Sequence, residues 1–377
     1  MLTRKNKWWL GIGAVLAVGL LVAAYPRVRT ARNAFATSLS PYPVRPGNRP
    51  LREAYRFLEQ ESGMDAFVAL KGDQVLAAWG ETALPINTHS VRKSVLSALY
   101  GIAIGKGLVR LDQTLAELGI DDQVVPLTAA ERGATVRDLL TSRSGVYIEA
   151  AGETQGMKDG RPRRGSHRPG EAFYYNNWGF NVLGIIFEKQ TKLSIGQALY
   201  DWIARPTGMR TFRPEHVIYA QPDYTEHRQF VIFLSAEDLA RLGALFLREG
   251  KWQGKQVIPA AWVRESTARH VETNYQEPFD GYGYLWLLDR DEGTIWADGW
   301  GGQFMIIDPA HDLVVVSRND TGRSLLQMGL FHLSGRDGAR GYHQRLHHLM
   351  IAATAGPAPR TDLNGQAGAR PAFEKKL

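Results

Sequence analysis

The stretch SVRKSVLSALYGIAIGKG, residues 90–107, decides the reading of this 377-residue chain. Val91, Val95, Leu99, Ile102 and Ala103 recur at three- and four-residue spacing, which predicts a helix over 90–106 with one face in the core. The helix opens on Ser90-Val91-Arg92-Lys93, an S-x-x-K pattern. Three residues return a helix to nearly the same face, so the Lys93 amine can stand beside the Ser90 hydroxyl. A hydroxyl becomes a nucleophile when a base takes its proton, and a lysine is that base only if burial or a neighbouring cation lowers its pKa. The field at a helix amino terminus favours the negative charge that follows. These four residues alone are equally the mark of a helix-capping serine and an exposed lysine. Residues 101–107 also resemble a phosphate-binding loop, but the pattern is one residue short and lacks a Ser or Thr after the lysine, so they read as the end of the helix.

Two further stretches carry chemistry-bearing side chains. Residues 173–180, FYYNNWGF, follow Pro169-Gly170. Tyr175 has a free pKa near 10, and a tyrosine exchanges protons near neutrality only beside an ammonium; without that, the cluster is aromatic packing. Residues 296–303, WADGWGGQ, lead into a strand, and glycine there allows either a tight turn or close approach of backbone N–H groups to a ligand.

Outward from these stretches, residues 67–70 and 75–79 flank Lys71-Gly72-Asp73-Gln74, which predicts a hairpin. Helical spacing marks 136–141, 181–189, 194–204, 236–248, 260–266 and 342–353, and strand character returns at 282–288, 294–297, 303–307 and 313–318. Strands at both ends of a helical middle predict an α/β (α+β) domain. Its antiparallel sheet of about five strands is built from both ends of the domain, flanked by helices and interrupted by a mostly helical subdomain. The cleft between the two parts is where a site belongs.

The ends and the charge are linked. Net charge is +7, yet residues 1–32 hold Arg4, Lys5, Lys7, Arg27, Arg29 and Arg32 and no acid, leaving 39 basic and 38 acidic residues elsewhere. A near-neutral body without a binding motif argues against nucleic acid. Residues 1–7 read as a basic amino-terminal segment. Residues 8–25 hold seventeen uncharged residues from Trp8 to Ala24 and then Tyr25, long enough for a transmembrane anchor. Cleavage near Val22-Ala23-Ala24 would make the segment a secretory signal instead. Residues 26–50, rich in proline toward their end, read as a linker, 51–354 as one globular domain and 355–377 as a disordered tail. No cysteine is present, which excludes disulfides and thiolate chemistry. His343 and His347 could share a metal from one helix, but without the glutamate of H-E-x-x-H they read as a solvated helix face.

In order and separation the three stretches resemble the serine β-lactamase and penicillin-binding-protein superfamily. The resemblance is strongest to the branch of class C β-lactamases, D-aminopeptidases, family VIII esterases and 6-aminohexanoate-dimer hydrolases. Ser90 and Lys93 match its S-x-x-K, and Tyr175 with Asn177 matches its Y-x-N. RDLLTSRSGVY (137–147) is similar to its D-L-L-x-x-x-S-G segment, and residues 169–189 and 234–266 to two further blocks, so the likeness spans about residues 50–350. It implies a β-lactamase/transpeptidase-like fold and a serine hydrolase of small or peptide-like esters or amides, needing no metal or organic cofactor; with the apolar segment at 8–25 the enzyme is expected to be membrane-anchored and extracytoplasmic. It further implies that Ser90 attacks, Lys93 takes the proton, Tyr175 manages the leaving group, Asn177 positions Lys93 and substrate, and Gly299 with the Trp300 N–H completes an oxyanion hole. The third motif departs from the pattern: Ala297 stands where the branch carries lysine or histidine, with Asp298 next. That cation usually holds a substrate carboxylate, so the departure points from β-lactamase or D,D-peptidase activity toward esterase or amidase activity. A wall-peptide sensor without turnover is the alternative. A loop with Arg161, Arg163, Arg164 and Arg168 could overhang the cleft and restore the charge.

Overall fold

Gly72, at φ +65°, turns the chain between β1 (Ala66–Lys71) and β2 (Gln74–Gly80) in the expected hairpin. The computed structural model describes residues 39–322, 325–333 and 340–355. The apolar segment at 8–25 and nearly all of the tail lie outside them; among the described residues no helix is long and apolar enough to cross a membrane.

Short strands β3 (Ile86–Asn87), β4 (Val217–Ala220) and β5 (Gln229–Leu234) form a small sheet in the middle of the chain, and β6 (Lys251–Trp252) pairs with β7 (Lys255–Gln256). The main sheet is completed by β8 (Val271–Gln276), β9 (Phe279–Tyr282), β10 (Leu287–Asp289), β11 (Thr294–Gly299), β12 (Gln303–Asp308) and β13 (Leu313–Arg318). Its order is β2-β1-β13-β12-β11-β10-β9-β8, antiparallel throughout, so the first hairpin lies beside the last strand. The sheet has eight strands rather than about five. Part of the difference is the run expected as one strand at 282–288, which is broken: Tyr284 N–H donates to Ser266 O and Leu285 N–H to Leu140 O, drawing the backbone off the ladder.

Besides short helical turns at Ala129–Arg132, Gln155–Asp159 and Arg205–Thr207, the helices are α1 (Arg49–Gln60), α2 (Val91–Gly105), α3 (Val136–Leu140), α4 (Asn177–Thr191), α5 (Ile195–Leu199), α6 (Ala236–Leu247), α7 (Ala260–Ser266), α8 (Leu325–Leu333) and α9 (Arg340–Thr354). The expected helix at 194–204 changes pitch at Tyr200–Ala204, a π-helical turn. Alternation along the central strands buries both faces. Val314, Val316, Met305 and Ile307 join the core that holds α2, α4 and α6, while Leu313, Val315, Phe304 and Ile306 pack with α1 and α9. Asn48 caps α1 through the Leu51 N–H and donates to Ala353 O, joining α1 to the end of α9.

Helix α2 runs through the interior. A side chain on Gly101 would meet Trp262 Cδ1 at 2.1 Å and one on Gly105 would meet Pro259 Cγ at 2.8 Å. The glycines that imitate a phosphate loop therefore admit the Pro259 and Trp262 side chains, and Trp262 Nε1 donates to Ser97 O at 2.9 Å.

Candidate active site

Ser90 immediately precedes α2, and its side chain makes no capping bond. Its Oγ instead accepts from Lys93 Nζ at 2.8 Å. The hydroxyl is turned to the amine rather than to the helix N–H groups that a capping serine satisfies. His89, just before it, is left-handed at φ +46°, a conformation costing about 1 kcal/mol or more outside glycine. It is held by its N–H on Asn87 Oδ1, by its Nε2 at 2.8 Å from Thr321 Oγ1, and by its ring against Trp300.

The Lys93 amine, almost wholly buried, lies over the rings of Tyr175 and Phe180 at 4.5 and 4.6 Å and also donates to Tyr175 OH at 2.8 Å. Burial, and then the Arg92 charge, hold its pKa well below the usual amine range, with Asp298 opposing. Arg92 is itself buried: Nη1 donates to His89 O, while Nε and Nη2 have no hydrogen-bond partner, the guanidinium lies over the Phe230 ring, and burial lowers it to about 10. Arg318, fully buried at the end of β13, is satisfied by neutral acceptors, Gln303 Oε1, Leu234 O, Ile86 O and Asn87 O. Burial, Arg92, Arg318 and Lys93 together lower His89 to about 3, so its ring is neutral. The surroundings thus penalise a proton on Lys93, as a lysine base requires.

Tyr175 is placed by the RDLLTSRSG segment. Ser142 accepts from the Tyr174 N–H through its carbonyl and donates from its hydroxyl to Tyr174 O at 2.7 Å; the same hydroxyl accepts from the Asn176 N–H. Asn176 caps α4 and donates to Val146 O. Asn177 does not bond Lys93 as the resemblance implied. Its Nδ2 donates to Gly152 O at 2.7 Å, tying down the preceding loop, and its buried Oδ1 has no partner.

Strand β11 forms the opposite wall. A side chain on Gly299 would come within 2.7 Å of Thr88 O and 3.1 Å of Ser90 N, so glycine is what lets the strand reach the start of α2. Residues 297–299 extend past β10, whose pairing ends at Trp296. Trp300 follows, packed on His89 and Phe331. Ala297 faces the inner core, and Asp298 takes both Nε and Nη2 of Arg340, at 2.9 and 2.7 Å on one carboxylate oxygen. Burial raises Asp298, opposed by Arg340 and by Lys93.

In the arginine loop Arg161 is not a lone cation but pairs with Glu153, and neither is Arg164, which pairs with Glu131. Nor is the α9 face solvated, since His343 and His347 are buried. His343 lies against the Phe304 ring at 3.8 Å with Nδ1 at 2.6 Å from Ser317 Oγ, and His347 turns to Asp308. Residues the sequence did not single out complete the site. Arg92 stood inside the first motif on an otherwise apolar helix, a signal in hindsight, whereas nothing local marks Arg340, 42 residues from its partner.

A family model described as Beta-lactamase matches residues 54–317. The 6-aminohexanoate-dimer hydrolase of Paenarthrobacter ureafaciens is 26% identical over 296 residues, covering 68% of this chain and 72% of that one. Among solved structures, an octameric penicillin-binding protein homologue from Pyrococcus abyssi superposes with a TM-score of 0.55 at 16% identity, covering 78% of this chain and 80% of that one. A penicillin-binding protein homologue from Caulobacter crescentus gives 0.56 at 16% identity, over 75% and 93%.

Proposed function

The chain belongs to the Beta-lactamase family, and on that premise we propose that it is a serine hydrolase opening an ester or amide bond through an acyl-enzyme on Ser90. One observation carries the reading: a single buried amine, Lys93 Nζ, lies 2.8 Å from both Ser90 Oγ and Tyr175 OH. Ser90 Oγ attacks the carbonyl carbon as Lys93 takes its proton. The proton passes by way of the Tyr175 hydroxyl to the departing alcohol or amine as its bond to the carbonyl breaks. Water then attacks the acyl carbon by the same route in reverse, releasing the acid and returning the proton to Ser90. The N–H groups of Ser90 and Trp300 receive the oxyanion, at about 3 kcal/mol per donor in a desolvated site.

Substrate class follows from charge. With Ala297 in the core and Asp298 neutralised by Arg340, β11 offers a balanced pair in place of a lone cation, and a β-lactam carboxylate gains little from it. Esters and uncharged amides are therefore the preferred class, and the relative named for a 6-aminohexanoate dimer makes that dimer a substrate to try. We propose further that residues 8–25 tether the enzyme to a membrane with the catalytic domain extracytoplasmic, on the support of their apolar run.

The test is hydrolysis of p-nitrophenyl esters with mass spectrometry after a fluorophosphonate. The expectation is an adduct on Ser90, a loss of at least about 10³-fold in kcat/KM for Ser90→Ala with an unchanged melting temperature, and weak turnover of a chromogenic cephalosporin. Undiminished activity in Ser90→Ala overturns the assignment, and absence of any adduct turns it toward a binding protein.

A further inference from the structure

At the far end of β11 lies a second cluster, partly buried and remote in sequence from the catalytic motifs. Glu292 sits in the turn between β10 and β11, and His347 and His348 lie on α9. His347 and Asp308 are each about 1% exposed, and His347 Nε2 lies 2.8 Å from Asp308 Oδ2. Hydrogen bonding to a carboxylate fixes the proton of a neutral imidazole on that nitrogen and leaves Nδ1 as a lone pair. His347 Nδ1 faces Glu292 Oε2 at 3.4 Å, and both atoms are buried without a hydrogen-bond partner. His348 Nε2 reaches the other oxygen, Glu292 Oε1, at 2.7 Å, and one ligand atom from each residue fits within 4.8 Å of the others.

Two lone-pair atoms facing each other in a desolvated space repel unless a cation stands between them. Their separation suits an ion: nitrogen and oxygen ligands about 2.0–2.1 Å from a tetrahedral metal lie about 3.3 Å apart. We propose that Glu292, His347 and His348 form a binding site for a zinc-like divalent transition metal. Asp308 is the outer carboxylate that orients His347, and water takes the fourth position. Two imidazoles and a carboxylate are donors of that class rather than of calcium or magnesium. The ion would staple α9 to the β10–β11 turn. Helix α9 also carries Arg340, which grips Asp298 near the nucleophile, so one helix would be fixed to both ends of β11. The site is thus structural, and independent of the hydrolytic reading.

The test uses the purified full chain without an affinity tag, stripped with EDTA, titrated with Zn²⁺ by calorimetry and followed by thermal melting. The expected result is one saturable equivalent with a Kd at or below about 10 µM and a rise in apparent melting temperature. His348→Ala and Glu292→Gln, both at solvent-accessible positions that leave His347 and Asp308 in place, should each weaken binding at least about 10-fold and remove the thermal shift. No saturable binding by the folded wild-type chain overturns the proposal. Undiminished binding in both variants overturns it equally, by placing the ion elsewhere among the ten histidines.

Discussion

The two ends of β11 treat a buried nitrogen base in opposite ways. At the Gly299 end the hydrogen-bond partners of Lys93 are hydroxyls, its neighbour is the cation Arg92, and the carboxylate of Asp298 is engaged by Arg340. At the Thr294 end His347 stands between two carboxylates, Asp308 at 2.8 Å and Glu292 at 3.4 Å. The strand, the burial and the two flanking layers are shared. What differs is the company: hydroxyls and a cation at one end, where protonation of the amine is penalised, and two carboxylates at the other, around an imidazole.

The largest expected effect breaks the contrast at its centre. Lys93→Met keeps the volume and removes the base, and kcat/KM for a p-nitrophenyl ester should fall at least about 10³-fold with the chain still folded. In the wild type, the protonated amine is inactive and its pKa is lowered by burial and Arg92, so kcat/KM should rise with pH and level off well below the ordinary lysine value of about 10.4. A rise still under way near pH 10 would mean that the withheld counter-charge does not act on Lys93.

A smaller effect sharpens the cause. Arg92→Met removes the adjacent cation and leaves the desolvation. Losing one like charge at close range should raise the Lys93 pKa by about 1 to 2, moving the acidic limb upward by that amount. Activity on the acidic limb should drop about 10-fold or more and recover at high pH. A lowered plateau with an unmoved limb would show Arg92 to be packing on Phe230 rather than tuning the amine.

How much of this was legible in the sequence divides along the same line. The sheet from both ends and the three stretches that meet around Ser90 were readable, because periodicity and short motifs are local properties of the chain. Tyr175 and Lys93 could be paired only through the resemblance, since 82 residues separate them. The charge environment was not legible. Arg92 reads as a surface residue until the small sheet covers it, Arg318 as the polar end of a strand until four acceptors converge on it, and Arg340 as a solvated helix start. Asn177 shows the converse: its motif placed it on Lys93, but the loop carbonyl of Gly152 competed for the amide. The strand expected at 282–288 failed for a similar reason, since the bonds that break it come from Leu140 and Ser266, distant in sequence.

The smallest effect tests whether counter-charge at the catalytic end is truly neutralised. Asp298 favours the charged form of Lys93, so Asp298→Asn should lower the amine pKa and shift the acidic limb to lower pH. The shift should be less than about 1 unit, because Arg340 already holds the carboxylate through two nitrogens. Freed from its partner, Arg340 adds a cation in the same direction. Activity should therefore change little on the plateau and increase on the acidic limb. An upward shift would reverse the sign and show that the Asp298–Arg340 pair supports the site through geometry. An unmoved limb would show that Arg340 cancels the carboxylate completely, which makes β11 electrically silent toward Lys93 and leaves Arg92 with burial as the whole cause of its lowered pKa.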